Sequence, residues 1–179
     1  MAAIRRGEAR DSAAVYLLAR QFVLDGLRTN RDEFEVAFAN VVRPRENETN
    51  VLYVATVGAA DAGDAATVDA AEAAGGTGGE QTAPGRGEAG EIVVGYSLMT
   101  VSRLLHAPGL TAHLQEIVVA PEHREHGIGS ELVQVNELYC RARGVRQLTM
   151  ATSRAGGFYE RLGYRESAAF YKKIFAFAN

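Results

Sequence analysis

Apolar positions along the chain follow two periods, one helical and one of strands. Val15, Leu18, Ala19 and Phe22 recur at i, i+3, i+4 and i+7, which predicts a helix over about 12–25 with Asp11 as N-cap and Gly26 at its end. Phe34, Ala37, Phe38 and Val41 repeat that spacing and predict a second helix over about 31–42. Asn30 and Glu33 resemble a capping box at its start, and Pro44 bars its continuation. Ile128, Leu132, Val135 and Tyr139 predict a third helix over about 128–142, closed by Gly144 at the C′ position. A short fourth helix carries Phe158 and Tyr159 and ends at Gly163. Runs rich in β-branched and aromatic residues predict strands at Ile4–Arg6, Val51–Val57, Glu91–Thr100, about 111–120 and Arg146–Ala151. Two further strands are expected at about 164–169 and 171–176.

Strand, helix and strand from 111 to 151 make a parallel crossover. The strands ending near 57 and starting near 91 read as a hairpin with an expanded turn. Residues 58–90 hold eleven alanines and nine glycines, with Val68 the sole large apolar residue. Such a stretch buries too little surface to offset its ordering entropy and is expected to be a disordered insertion. Lengthening a flexible turn to this size costs only about 2 kcal/mol of closure entropy, so the fold tolerates it.

Length and charge narrow the picture. The 179 residues suffice for a single domain spanning 1–179 with a sizeable core. The net charge of −3 gives no general pull towards nucleic acid or anionic membrane. Residues 58–90 hold six acids and one base, which leaves the remainder about +2. The single cysteine, Cys140, excludes an intrachain disulfide and reads as buried packing. His113, His123 and His126 match no zinc spacing, so no metal is expected. With neither signal peptide nor membrane-spanning run in view, a cytoplasmic location is expected.

The stretch Leu114–Leu132 carries the chemistry. It reads as strand, turn, glycine-bearing loop and helix, with Arg124-Glu125-His126-Gly127-Ile128-Gly129 as the loop. Free N–H groups at a helix start suit a phosphate, and Gly127 and Gly129 permit close approach. Position 132 is Leu, so the third glycine of a dinucleotide fingerprint is missing, and there is no Gly-Lys-Ser/Thr of a P-loop.

Arg-x-x-Gly-x-Gly after a strand, followed about 30 residues on by Phe-Tyr-x-x-Leu-Gly-Tyr, resembles the GCN5-related N-acetyltransferases (GNAT). The resemblance covers 91–175 strongly and 4–57 weakly. It implies an α/β (α+β) fold, with a mixed central sheet of about seven strands, a parallel V-shaped split and about four flanking helices. It implies acetyl-CoA as co-substrate, lying in the V. The pyrophosphate would meet the amides of Arg124, Glu125, His126, Gly127, Ile128, Gly129 and Ser130. The pantetheine arm would bond along the main chain of Ile117, Val118 and Val119, which calls for a bulge near 117–119. Thr152, where the family often has asparagine, would be a further pantetheine contact. Glu125 stands in place of a common glycine and brings a carboxylate near the expected pyrophosphate.

Acetyl transfer to an amine needs a base, an oxyanion donor and a proton for the leaving thiolate. Tyr159 matches the family's proton donor. Glu116 is the candidate base, since a carboxylate between Leu114 and Val118 is costly to bury unpaired and should face a wet cleft or a partner. Gln115 should point to the opposite face unless a bulge shifts the phase, and the oxyanion donor is expected to be a backbone N–H near Val118. The expected activity is acetyl-CoA-dependent N-acetylation of a primary amine, most simply of a small molecule. A protein lysine or N-terminus is the alternative acceptor, and a non-catalytic acyl-CoA-binding module is the alternative of another class. The oligomeric expectation is a monomer or homodimer.

Overall fold

A computed structural model describes residues 1–22, 30–43, 49–59, 90–105 and 109–173. The expected insertion over 58–90 falls, apart from its ends, outside the described residues, as do Gly26 and Pro44. Two compact units divide the chain, Met1–Thr149 and Met150–Asn179.

The first unit is built on strands β1 (Ala3–Arg6), β2 (Asn50–Gly58), β3 (Glu91–Arg103), β4 (Leu110–Val119) and β5 (Val145–Met150), in the sheet order β1-β2-β3-β4-β5. The first four pair antiparallel. β5 runs parallel to β4: Arg146 lies against Gly109, just ahead of β4, and further along both strands Thr149 meets His113. The sheet is therefore mixed, as expected. Among the described residues it has five strands where about seven were expected.

Helices α1 (Ser12–Ala19) and α2 (Arg31–Val42) cover one face. Val15, Leu18 and Phe38 pack there on Leu52, Val54, Tyr96, Val118 and Ala120. Helix α3 (Ile128–Ala142) covers the other face. Ile128 and Leu132 pack there with Ala55, Val57 and Val94. Further along α3, Asn136 donates to Ser97 Oγ and to the Leu132 carbonyl, both at 2.7 Å. The core face of α3 is Ile128, Leu132, Val133, Asn136 and Cys140; Val135 and Tyr139, expected on it, are only half-buried. Cys140 Sγ lies 3.6 Å from Met99 Sδ, and burial pushes its thiol up, so it packs as expected.

Helix α2 has the bounds read from its periodicity. Asn30 caps it by accepting the Asp32 N–H at 2.9 Å. Helix α1 stops at Ala19, short of the expected 25. Gln21 and Phe22 bond back only three residues, to Leu18 and Ala19, and Phe22 is exposed, so the buried stripe ends there. Asp11 is the N-cap residue of α1, as expected, but its side chain makes no capping bond to that helix. It closes a 3-10 turn at Ala9–Asp11, where its carboxylate accepts the Glu8 N–H at 2.8 Å and a forked pair from Arg5, each 2.8 Å. That bidentate pair fixes β1 to the start of α1.

In the second unit, α4 (Gly156–Arg161) ends with Gly163 at φ +87°, the expected left-handed stop. The strands expected at 164–169 and 171–176 do not form within the described residues, where 164–173 carry no regular structure. Phe170 and Tyr171 are exposed, so their apolar character is not spent on a sheet. Residues 174–176 lie outside the described part.

Candidate functional site

The extra residue of β4 decides the geometry. Leu98 pairs with Glu116 and Met99 with Leu114, so Gln115 is inserted without a partner on β3. The bulge thus falls at Gln115, not at 117–119. A bulge turns two successive side chains to one face. Gln115 Nε2 donates to Thr100 Oγ1 at 3.0 Å, while Tyr96 Oη donates to Glu116 at 2.7 Å. Thr100, Leu98 and Tyr96 alternate along β3 on the α1/α2 face, so Gln115 and Glu116 both lie on that face. Gln115 therefore departs from the opposite-face expectation through the phase shift.

Glu116 is half-buried and has the partner its position required. Tyr96 is 1% exposed, and burial pushes its hydroxyl far above the usual phenol range, with the Glu116 carboxylate adding to the rise. The phenol therefore stays protonated and serves as a fixed donor. Tyr96 escaped the sequence reading; its one signal is a single large aromatic within the apolar and small run from Ile92 to Met99.

Backbone directions follow from the ladder. The Ala120 N–H donates to the Val94 carbonyl at 2.8 Å, so Ala120, and by alternation Val118, direct their main-chain groups into β3. Ile117 and Val119 direct theirs to the other side of β4. β5 aligns with Gly109–His113 and ends at Met150, so residues 115–119 run on past its end. Of the three residues expected to meet pantetheine, Val118 directs its main-chain groups into β3, and Ile117 and Val119 direct theirs outward. The side chains of Ile117 and Val119 pack on the α3 side of the sheet.

After a 3-10 turn at Pro121–His123 the chain enters the glycine loop. Gly127 caps α3 at φ +85°, and the first helical bond runs from the Glu131 N–H to its carbonyl at 3.0 Å. The amides of Ile128, Gly129 and Ser130 precede that bond and have no carbonyl within the helix to meet. A Cβ on Gly127 would meet nothing within 4 Å, so the requirement there is conformational. Glu125 sits at φ +65°, alone among described non-glycine residues at positive φ.

Arg124 does not reach over the loop. Its Nε donates to the Val119 carbonyl at 3.1 Å and its Nη2 to Gln21 at 2.6 Å, joining the loop to the end of β4 and to the exit of α1. His126 Nδ1 donates to the Arg124 carbonyl at 2.6 Å, because a carbonyl can only accept. The side chain of Ile128 is core.

In the second unit Tyr159 is buried against the rings of Phe158 and Tyr164, at centroid distances of 5.0 and 5.8 Å. Burial raises its hydroxyl above the usual phenol range. Thr152 Oγ1 accepts the N–H groups of Ala155 at 2.9 Å and Arg154 at 3.3 Å, so it shapes the turn into α4.

Residues 86–166 match the family model described as "Acetyltransferase (GNAT) domain". Over that segment the chain is similar to the GNAT acetyltransferases. Solved structures agree on the fold. A transcriptional regulator from Bacillus halodurans is 20% identical with a TM-score of 0.68, covering 98% of this chain and 100% of its own. Glucosamine-6-phosphate N-acetyltransferase from Arabidopsis thaliana is 17% identical with a TM-score of 0.67, over 98% and 99%. A GNAT family acetyltransferase from Staphylococcus aureus is 13% identical with a TM-score of 0.59, over 97% and 98%. GNAT enzymes use acetyl-CoA as co-substrate, and the matched GNAT segment contains β4, the glycine loop, α3 and the Phe158-Tyr159 motif. Among the described residues no helix is long and apolar enough to cross a membrane.

Proposed function

We propose that the chain is an acetyl-CoA-dependent N-acetyltransferase whose acceptor is the primary amine of a small molecule. The observation that carries this reading is a carboxylate held by a buried phenol on a bulged strand, directly upstream of the GNAT glycine loop. Glu116 takes a proton from the acceptor ammonium, directly or through a water. The freed amine attacks the thioester carbonyl, and the oxyanion is met by outward amides of β4. The C–S bond then breaks, the thiolate takes a proton from Tyr159, a role resting on the Phe-Tyr motif, and the second proton of the amine nitrogen, released as the amide forms, restores the phenol through solvent. The cofactor pyrophosphate is assigned to the loop and first-turn amides from Glu125 to Ser130, pantetheine to the main chain of Ile117 and Val119, and Thr152 to a further pantetheine contact. Arg124 acts in this scheme as the clasp that holds the loop to β4.

Thermal unfolding with and without acetyl-CoA tests the cofactor assignment. A ligand at 100 times its Kd adds about 2.7 kcal/mol, a rise of several degrees in Tm. An unchanged Tm at millimolar acetyl-CoA contradicts it.

A further inference from the structure

The bulge does more than place the base. It sets Gln115 beside Glu116 on one face of the sheet, where strand alternation would have separated them. Gln115 is exposed. Its Nε2 is tied to Thr100, which fixes the amide and leaves its Oε1 as a directed acceptor. His113, paired with Thr100 across the ladder, continues the same face. The Thr149 hydroxyl donates to the Ala112 carbonyl at 3.3 Å, so His113 Nδ1 is the donor in its 2.8 Å bond to Thr149. A ring that carries its proton on Nδ1 keeps Nε2 as an acceptor. A carboxylate, an amide oxygen and an imidazole nitrogen thus follow one another along β4.

Taking Glu116 as the base of the proposed reaction, the geometry points to Gln115 and His113 as specificity determinants. They select a small amine that carries a hydroxyl or amide donor a few bonds from its amino group, over a plain alkylamine. The amine is received at Glu116, and its donor groups meet Gln115 Oε1 and His113 Nε2. A site built to bond such a group rejects the analogue that lacks it, because its own polar atoms are then left unpaired.

The test measures kcat/KM by release of free CoA for amino alcohols, amino amides and n-alkylamines of matched length. The comparison uses wild type, Gln115→Leu and Thr100→Val, each checked for a native melting transition. The expected wild-type preference for the donor-bearing amines is at least about tenfold, the scale of one hydrogen bond to a fixed partner. In Gln115→Leu the ratio should fall towards one with the KM for acetyl-CoA unchanged, and in Thr100→Val it should fall part of the way. Equal wild-type rates on both amine classes, or a preference that survives Gln115→Leu, overturns this inference alone. A failure of every amine of both classes to release CoA overturns the proposed small-amine acetyl transfer and takes this inference with it.

Discussion

Tyr96 donates its hydroxyl to the Glu116 carboxylate at 2.7 Å, across neighbouring strands and from a site that is itself 1% exposed. The phenol cannot follow a moving carboxylate, so Glu116 is held in one orientation. Tyr96→Phe keeps the ring and removes the donor. The expected outcome is a drop in kcat of about tenfold, equivalent to about 1.4 kcal/mol, with the KM for acetyl-CoA unchanged. Steady-state kinetics on the variant decide it; a rise in that KM with kcat intact would make Tyr96 a packing residue only.

Alkaline pH should expose the same tyrosine through stability. Burial raises the folded Tyr96 hydroxyl above its ordinary value of 10.0. Below that value both states keep the proton. Above it the unfolded chain loses the proton while the folded chain retains it, so stability falls as pH rises, by about 1.4 kcal/mol per pH unit for one such group. Tyr159 and Cys140 are raised too and act with the same sign, the thiol from its ordinary 9.0 upward. Denaturant midpoints from pH 8 to 11 should decline, and Tyr96→Phe should make the decline shallower above about pH 10. An unaltered slope in that variant counts against the burial argument.

Glu125 occupies a left-handed backbone conformation at φ +65° with a side chain that disfavours it. Glu125→Gly should raise stability by about 1 kcal/mol. It also removes a carboxylate from the loop assigned to the pyrophosphate, so acetyl-CoA should bind more tightly, and more so at low salt. Chemical denaturation and calorimetric titration at two ionic strengths measure the two effects separately. Loss of binding in the glycine variant would mean that the Glu125 side chain assists the cofactor.

Much of this was legible in the residues. Helix α2 followed from Phe34, Ala37, Phe38 and Val41, and α3 from a stripe between a glycine loop and Gly144, because helical spacing is recorded within one segment. The bulge was misplaced, since an inserted residue is defined by the register of the partner strand. Nothing in Leu-Gln-Glu-Ile says that Met99 will pair with Leu114 and Leu98 with Glu116. The bond from Tyr96 was hidden for the same reason. The motif placed the Arg124 amide at the pyrophosphate, but where the guanidinium goes, to the Val119 carbonyl and Gln21, is fixed by tertiary structure. The strands expected after Gly163 span Tyr164, Phe170 and Tyr171, aromatic residues that suit a strand without obliging one to form.

The most direct measurement of the central claim is amine-dependent release of CoA from acetyl-CoA by wild type and Glu116→Gln, with acetyl-CoA affinity measured on both. The expected result is turnover by wild type and a loss of at least about 100-fold in kcat for the variant, the range of a general base, with cofactor affinity within about twofold. A Glu116→Gln protein that binds acetyl-CoA and turns over at the wild-type rate would contradict the account.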